Sequence, residues 1–391
     1  MATQTQMGLT QRLGNRTLVL AFFAVQVVAF AAAYLAERPT WYAVFVVFST
    51  SAVAYAYERR RTGLVAAGRF LGVHGLAAVG AVVADQAIRV GLSMIFGIAE
   101  IAFPLWFVTY VLLGTAGSSF IVRDGGFLVG MATAGSLLVG VLGLPLFLFV
   151  ARQDPALVLE KALDPGVHRV LYLGVYGPLL AAILSLSFGI PLAYVLARGF
   201  TGQQFVESLV DLPLVVPHSV AGIIILFGFG SGGIFPGLPV LGSMIGMVIA
   251  MTFVSAPYAV NTTREAFEAI EDRLEYASRI HGAGQFQTFR RVTGPLAIRG
   301  MITGGILAWA RAVSEFGAVA VVAYSVTFFY PFAGESVTAQ HAPVFVYNTY
   351  LQGGLAQSGA VSFLLLAVSA VIFLIVRYLT EDSTTVGGIV K

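Results

Sequence analysis

EYASRIHGAGQFQTFRRVTGP, residues 275–295, is a polar stretch in the middle of an apolar chain, with three arginines, a histidine and a Gly-Ala-Gly run. Long apolar segments flank it on both sides, so it reads as a loop between membrane helices. Residues 263–299 as a whole carry six basic and five acidic residues. Upstream, REAFEAIEDRLEYASRIHG (264–282) has helical periodicity, with Phe267, Ile270, Leu274, Ala277 and His281 repeating at three- and four-residue steps. Glu275 and Arg279 stand at i,i+4 in the favourable order. Gly282-Ala283-Gly284 is expected to stop that helix, because glycine takes a left-handed cap without strain. A second short helix over about 285–292 is expected to end before Gly294-Pro295, where proline has no amide hydrogen to continue the ladder. The pattern is helix, glycine turn, short helix, then return to the membrane. An ordinary solvated loop at the membrane surface would also account for the composition.

The rest of the chain sets that loop in a membrane. Of 391 residues, 58% are hydrophobic and 10% charged, with a mean hydropathy of +0.87. A soluble domain carries about a quarter charged residues. Apolar segments of spanning length are expected near 17–35, 41–57, 64–83, 91–113, 126–151, 169–197, 207–228, 242–262, 298–322 and 359–379. The fold class is therefore an all-α polytopic membrane protein of about ten helices. The N-terminal apolar run follows a basic lead without a clear cleavage site and reads as a retained helix rather than a signal peptide. With the N-terminus in the cytoplasm, 15 of the 22 basic residues fall on the inner side and five on the outer, which favours both termini cytoplasmic and places 275–295 there too. The same distribution argues against nucleic acid as the reason for the pI near 9.1. The chain has no cysteine, so disulfide, thiolate and Cys-zinc chemistry are excluded. The five histidines are scattered without metal-ligand spacing, which leaves a membrane enzyme without a site.

Several residues inside the spans ask for an explanation. Pro213 and Pro217 break the segment 207–228 and free backbone groups. His218 and Ser219 follow the break and are able either to satisfy that backbone or to offer donors to an anion. Arg311 and Glu315 lie one turn apart in 298–322, and a charge at mid-helix costs roughly 2.5–3.5 kcal/mol, so both are expected to face away from lipid. Pairing with each other explains them, and a place on a path for solute is compatible with that pairing; Ser314 lies between them. Gly300, Gly304, Ala308 and Ala312 form a small-residue stripe suited either to a dimer seam or to internal packing. Glu100, near Pro104, is a further acid at membrane depth. The segments 152–168 and 323–358 are expected as long outside loops.

The loop at 275–295 resembles the cytoplasmic "EAA" loop of ABC importer permeases: Tyr276-Ala277-Ser278, Gly282, Val292 and Pro295 fall on its pattern without a gap. It departs from that pattern at Tyr276, where the family has glutamate, with Glu275 one residue earlier, and at Gly294 before the proline. DLPLVVPHSVAGIIILFGFG (211–230), AWARAVSEFGAVAVVAY (308–324) and APVFVYNTYLQGGL (342–355) are similar to segments of molybdate and tungstate permeases, particularly the archaeal type, and less close to those of sulfate permeases. The resemblance runs over about 125–380. It implies residues 121–391 as a six-helix type I importer core and residues 1–120 as an added four-helix extension of unassigned role. It further implies a non-enzymatic transport subunit in the cell membrane, working as a homodimer with cytoplasmic ABC ATPase subunits and an external oxyanion-binding protein. Glu275, Tyr276, Ala277, Arg279, Gly282, Ala283, Val292 and Pro295 would form the ATPase-coupling loop, and Pro217, His218, Ser219, Arg311, Ser314 and Glu315 a translocation path. The chain itself lacks the Gly-Lys-Ser/Thr of a P-loop, its two lysines being Lys161 and Lys391, so ATP and magnesium are expected in the partner ATPase and no cofactor in this chain. Sulfate or thiosulfate import is the nearest alternative. An ion-coupled secondary transporter is the alternative of another class, although the halves show no matching broken helices.

Overall fold

The computed structural model describes residues 21–58 apart from 23, together with 64–96, 105–121 and 126–382. The protein is helical and divides into two compact units, Met1–Arg152 and Gln153–Lys391. Five helices among the described residues are long and apolar enough to cross a membrane, beginning at Gly68, Pro165, Met244, Gln285 and Ala342, and shorter apolar helices accompany them.

The first unit contains α1 (Ala24–Leu35), α2 (Pro39–Glu58), α3 (Leu64–Phe96), α4 (Leu105–Ile121) and α5 (Gly126–Ala151). The two spans expected at 64–83 and 91–113 are instead the single helix α3 and the separate α4. Asp85 and Arg89, which fall between those two expected spans, are accommodated within the helix. Arg89 Nε donates to Asp85 Oδ2 at 2.8 Å one turn away, and the backbone N–H of Trp106 donates to Asp85 Oδ1 at 3.1 Å. His74 is buried against the Tyr110 hydroxyl at 2.9 Å. Helix α5 packs on α2 and α4, so the boundary read at 120/121 lies inside the first compact unit. Glu100 and Pro104 lie outside the described residues, as do Arg12, Arg16, Arg123 and Lys391.

The second unit begins with α6 (Pro155–Leu163) and α7 (Pro165–Leu196). Asp154 and Asp164 cap them by accepting from Ala156 N at 2.9 Å and Gly166 N at 2.7 Å, so the segment 152–168, expected as a loop, is largely helical. Next come α8 (Gln203–Val215), α9 (His218–Phe229), α10 (Met244–Glu268), α11 (Asp272–Ile280), α12 (Gln285–Thr288), a π-helical turn (Phe289–Thr293), α13 (Gly294–Val313) and α14 (Gly317–Val322). The hairpin β1 (Val326–Tyr330) and β2 (Glu335–Ala339), paired antiparallel from Val326↔Ala339 to Tyr330↔Glu335, precedes α15 (Ala342–Asp382). This hairpin and the first half of α15 occupy the segment 323–358 that was expected as a loop. Gly354, at φ 75°, interrupts α15 just before the apolar stretch expected at 359–379.

The core of this unit is the contact of α10 with α7 and α13. The small-residue stripe of α13 faces α10. A Cβ on Gly300 would stand 2.1 Å from the Cβ of Ala266, and one on Gly304 would stand 3.0 Å from the Ala259 carbonyl oxygen. Ala308 and Ala312 are fully buried. The stripe therefore serves packing within the chain, letting two helix backbones approach as small residues do in membranes. Gly300→Val is expected to lower stability by about 1–3 kcal/mol, read as thermal unfolding in detergent. Ala266→Gly combined with Gly300→Ala should restore the wild-type transition.

Candidate functional site

Two polar clusters in the second unit are joined by one helical run. The first is the segment quoted at the outset. The helix expected over 264–282 is two: α10 ends at Glu268, and α11 starts at Asp272 after a turn in which Ala269 N and Ile270 N bond back to the carbonyls of Glu265 and Phe267 at 3.0 and 3.2 Å. The shared apolar face does not survive that turn, since Phe267 is buried while Leu274, Ala277 and His281 are exposed. Helix α11 ends as the glycines foretold. Gly282 adopts φ +85°, and Gly282 N and Ala283 N return to the carbonyls of Arg279 at 2.9 Å and Ser278 at 3.2 Å.

Pro295 does not break the helix that starts after this glycine turn. Gly294 N bonds the carbonyl of Phe289, five residues back, and this wider turn carries the chain past the proline without loss of helical direction. Residues Gln285–Val313 thus form one helical run of 29 residues, roughly 43 Å long at 1.5 Å per residue. The separate short helix expected to end near 292 is the start of this run.

Glu275 occupies a different place from the one its spacing implied. It is the one buried residue of α11, and its carboxylate turns away from Arg279 to meet Arg198, just beyond the end of α7. Arg198 Nη1 donates to Oε2 at 2.5 Å, Arg198 Nη2 donates to Oε1, and Thr293 Oγ1 of the π turn donates to Oε1 at 2.9 Å. A bidentate guanidinium fork with an added hydroxyl outweighs an exposed i,i+4 pair worth a few tenths of a kcal/mol. The Arg198 guanidinium also lies over the Tyr194 ring at 4.5 Å, and that ring stands edge-on to Phe267 and Phe289. The Arg198 hydrogen bonds hold the Glu275 carboxyl below its ordinary range, with help from Thr293 and against the effect of burial. A depressed carboxylate contributes stability above its unfolded value of about 4.3 and loses it only as pH falls through the lower folded value, so the pair stays intact at neutral pH. Tyr276, Ala277, Arg279 and Ile280 cover the exposed side of α11, and Phe286 is exposed as well. Val292 lies in the π turn and Pro295 in the first turn of α13.

The second cluster lies at the far end of the same run. The segment expected as one span over 207–228 is α8 and α9, separated at Val216–Pro217. Similarly, 298–322 breaks after Val313 and resumes as α14. The two broken helices meet through glycines. A Cβ on Gly317 would stand 2.7 Å from the His218 Cβ, and one on Gly222 would stand 2.9 Å from the Ala318 carbonyl oxygen. That approach brings His218 onto the Arg311–Glu315 pair. Arg311 Nη2 donates to Glu315 Oε2 at 2.8 Å and lies 2.8 and 3.0 Å from the two ring nitrogens of His218, while Arg311 Nη1 reaches Ser314 Oγ at 3.4 Å. Glu315 Oε1 accepts from Ala318 N at 2.9 Å, closing the helix break. The Glu315 side chain is 1% exposed, Arg311 17% and His218 52%, so the cluster is closed at its carboxylate and open at the His218 ring. Such a site is able to meet an anion while the buried carboxylate limits how tightly it is held. Pro217 precedes the cluster, and Ser219 is exposed beside it.

The structure thus gathers His218, Ser314 and Glu315 around Arg311, four of the six residues read as a path, and brings neither Pro217 nor Ser219 into a bond with it. Arg198 and Thr293 were not recognised from sequence as site residues: Arg198 lies 77 positions from Glu275, and no local spacing links them. Arg311→Met is expected to destabilise the protein by about 3 kcal/mol, because Glu315 would be buried beside only the half-exposed His218. The double variant Arg311→Met/Glu315→Gln should recover most of that loss in a detergent melt.

Residues 186–382, which contain both clusters, match the family described as "Binding-protein-dependent transport system inner membrane component". The chain is 37% identical over 251 residues to the "Molybdate/tungstate transport system permease protein WtpB" of Pyrococcus abyssi, and 38% identical over 251 residues to that of Pyrococcus furiosus. Each match covers 63% of this chain and 93% of the relative. A "Probable sulfate transport system permease protein" of Helicosporidium sp. subsp. Simulium jonesii is 33% identical over 196 residues, covering 48% of this chain and 73% of the relative. In the Pyrococcus matches, 63% of 391 residues is about 246, more than the 239 residues of Gln153–Lys391. The related sequence therefore reaches back into α5.

Proposed function

We propose that this chain, which belongs to the family of binding-protein-dependent transport system inner membrane components, is the permease subunit of an ATP-driven importer of tetrahedral oxyanions, molybdate or tungstate. The observation that carries the reading is the single helical run Gln285–Val313, with a glycine-capped polar helix before its first residue and the Arg311–Glu315–His218 cluster at its last. A rigid helix joining an exposed cytoplasmic docking surface to an anion-competent cluster is what coupling in trans requires. Molybdate and tungstate are preferred to sulfate because the relatives with those names match more of this chain, and at higher identity.

In this reading the exposed face of α11, with Tyr276, Ala277, Arg279 and Ile280, seats in a groove of an ABC ATPase, which binds ATP and magnesium. Both termini are cytoplasmic, and two copies of the chain pair to enclose the path. An external binding protein delivers the anion. Helix α5 belongs to the importer core together with residues 153–391, and the helices before it are an addition to that core. The anion meets Arg311, whose charge is offset by Glu315, and the exposed His218 ring, so it is attracted without being trapped. The chain carries out no bond chemistry of its own.

Purification of the tagged chain in mild detergent from its native membrane, followed by mass spectrometry, should recover a P-loop ATPase in stoichiometric amount. Vesicles holding the complex should accumulate molybdate or tungstate only with ATP inside. Uptake driven by an ion gradient without ATP would overturn the reading in favour of a secondary transporter. Gly282→Val should insert normally yet lose ATPase association or coupling. No atom lies within 4 Å of the added Cβ, but φ +85° disfavours any L side chain by roughly 1–2 kcal/mol.

A further inference from the structure

We propose that Glu275 is a positioning residue for ATP coupling, the centre of a latch through which α11 acts on two membrane helices at once. The inference rests on the reading of α11 as the helix that meets the ATPase. A short helix ordinarily docks on its protein through an apolar stripe, but α11 does not. Leu274, Tyr276 and Ile280 are all exposed, and Glu275 is the only buried residue of the helix. Its attachment is polar and directional: the carboxylate to Arg198 and Thr293, and the Ser278 hydroxyl to that of Thr288 at 3.1 Å.

Each partner of Glu275 belongs to a different membrane helix. Arg198 follows α7 directly, and its guanidinium plane is set by the Tyr194 ring. Thr293, fully buried, closes the π turn that leads into α13. The rings of Tyr194, Phe267 and Phe289 bring the ends of α7 and α10 and the π turn together. A push or pull on α11 is therefore delivered to α7 and to the run that ends at Arg311 in a fixed ratio. An apolar contact of the same area would let the helix slide, whereas a forked ion pair holds one register and lets go when its geometry is lost. The exposed face of α11 is left free for a partner, and the inner face carries the transmission.

The test uses the full complex of permease, ATPase and binding protein in proteoliposomes, with molybdate or tungstate uptake measured per ATP hydrolysed. Glu275→Gln, Thr293→Val and Arg198→Lys, the last keeping its charge but losing the fork, should each still co-purify with the ATPase. Their uptake per ATP should fall, for Glu275→Gln by about tenfold, as expected for losing a hydrogen-bonded charge pair. The exchange Glu275→Arg/Arg198→Glu should recover part of that ratio, which a loss of general stability would not. Wild-type uptake per ATP in Glu275→Gln and Arg198→Lys overturns the latch, and so does loss of ATPase binding in both, since Glu275 would then be part of docking rather than transmission. Should the wild-type chain itself bring down no ATPase, the coupling reading fails, and the latch with it. Should Glu275→Gln or Thr293→Val fail to insert, Arg198→Lys carries the test, with the same two outcomes.

Discussion

Proline 295 lacks the amide hydrogen that an α-helix needs, and the arrangement of the second unit depends on how that deficit is absorbed. The widened turn Phe289–Thr293 lets Gly294 bond back to Phe289. The chain passes the proline and continues as one helix to Val313. Had the helix ended there, as local rules favour, the polar segment and the Arg311 cluster would have been separate bodies joined by a flexible joint. A π turn also places its residues on a slightly different face from a regular helix, and here that presents Thr293 to Glu275.

Buried charge is handled in the same way at both ends of this run. Neither Glu275 nor Glu315 is left with a single partner: each accepts from an arginine and from one further donor, the Thr293 hydroxyl in one case and the Ala318 amide in the other. Removing charge from water is costly, and a buried pair persists only when its remaining lone pairs are satisfied. The two sites differ on the cationic side. Arg198 is committed to its carboxylate and to an aromatic face, which suits a mechanical joint. Arg311 shares its donors with an exposed histidine and a serine, which suits the proposed contact with a passing anion. Close helix contact makes both possible. Gly300 and Gly304 let α13 lie against α10, and Gly222 and Gly317 let the two broken helices touch.

Much of this was legible in the residues and some was not, for reasons that differ from element to element. The membrane class and the glycine stop at Gly282 come from local chemistry, since a left-handed residue is needed wherever a helix turns back on itself. The Arg311–Glu315 pair was visible as an i,i+4 spacing, and the structure keeps it although the helix between them breaks. The same spacing misled at Glu275, because i,i+4 arithmetic takes no account of a stronger donor arriving from elsewhere. Asp85 and Arg89 looked like the end of a span, yet their mutual neutralisation lets α3 run through them. The hairpin at 326–339 was read as a loop, although VTFFY (326–330) alternates buried and exposed residues in the structure.

Sequence alone determined that the chain lives in a membrane, that residues 275–295 form a polar loop between spans, that its helix stops at glycine, and which charged residues needed an explanation. These depend on composition, on backbone preferences and on neighbours within one helical turn, all of which a linear reading contains. Only the tertiary structure decided which partner each charge takes, that the small-residue stripe packs inward on α10, and that one helical run connects the loop to the Arg311 cluster. Those outcomes are competitions between donors and surfaces far apart in the chain. A bond across 77 residues is settled by which groups the packed helices bring within 3 Å, and no spacing along the sequence records that.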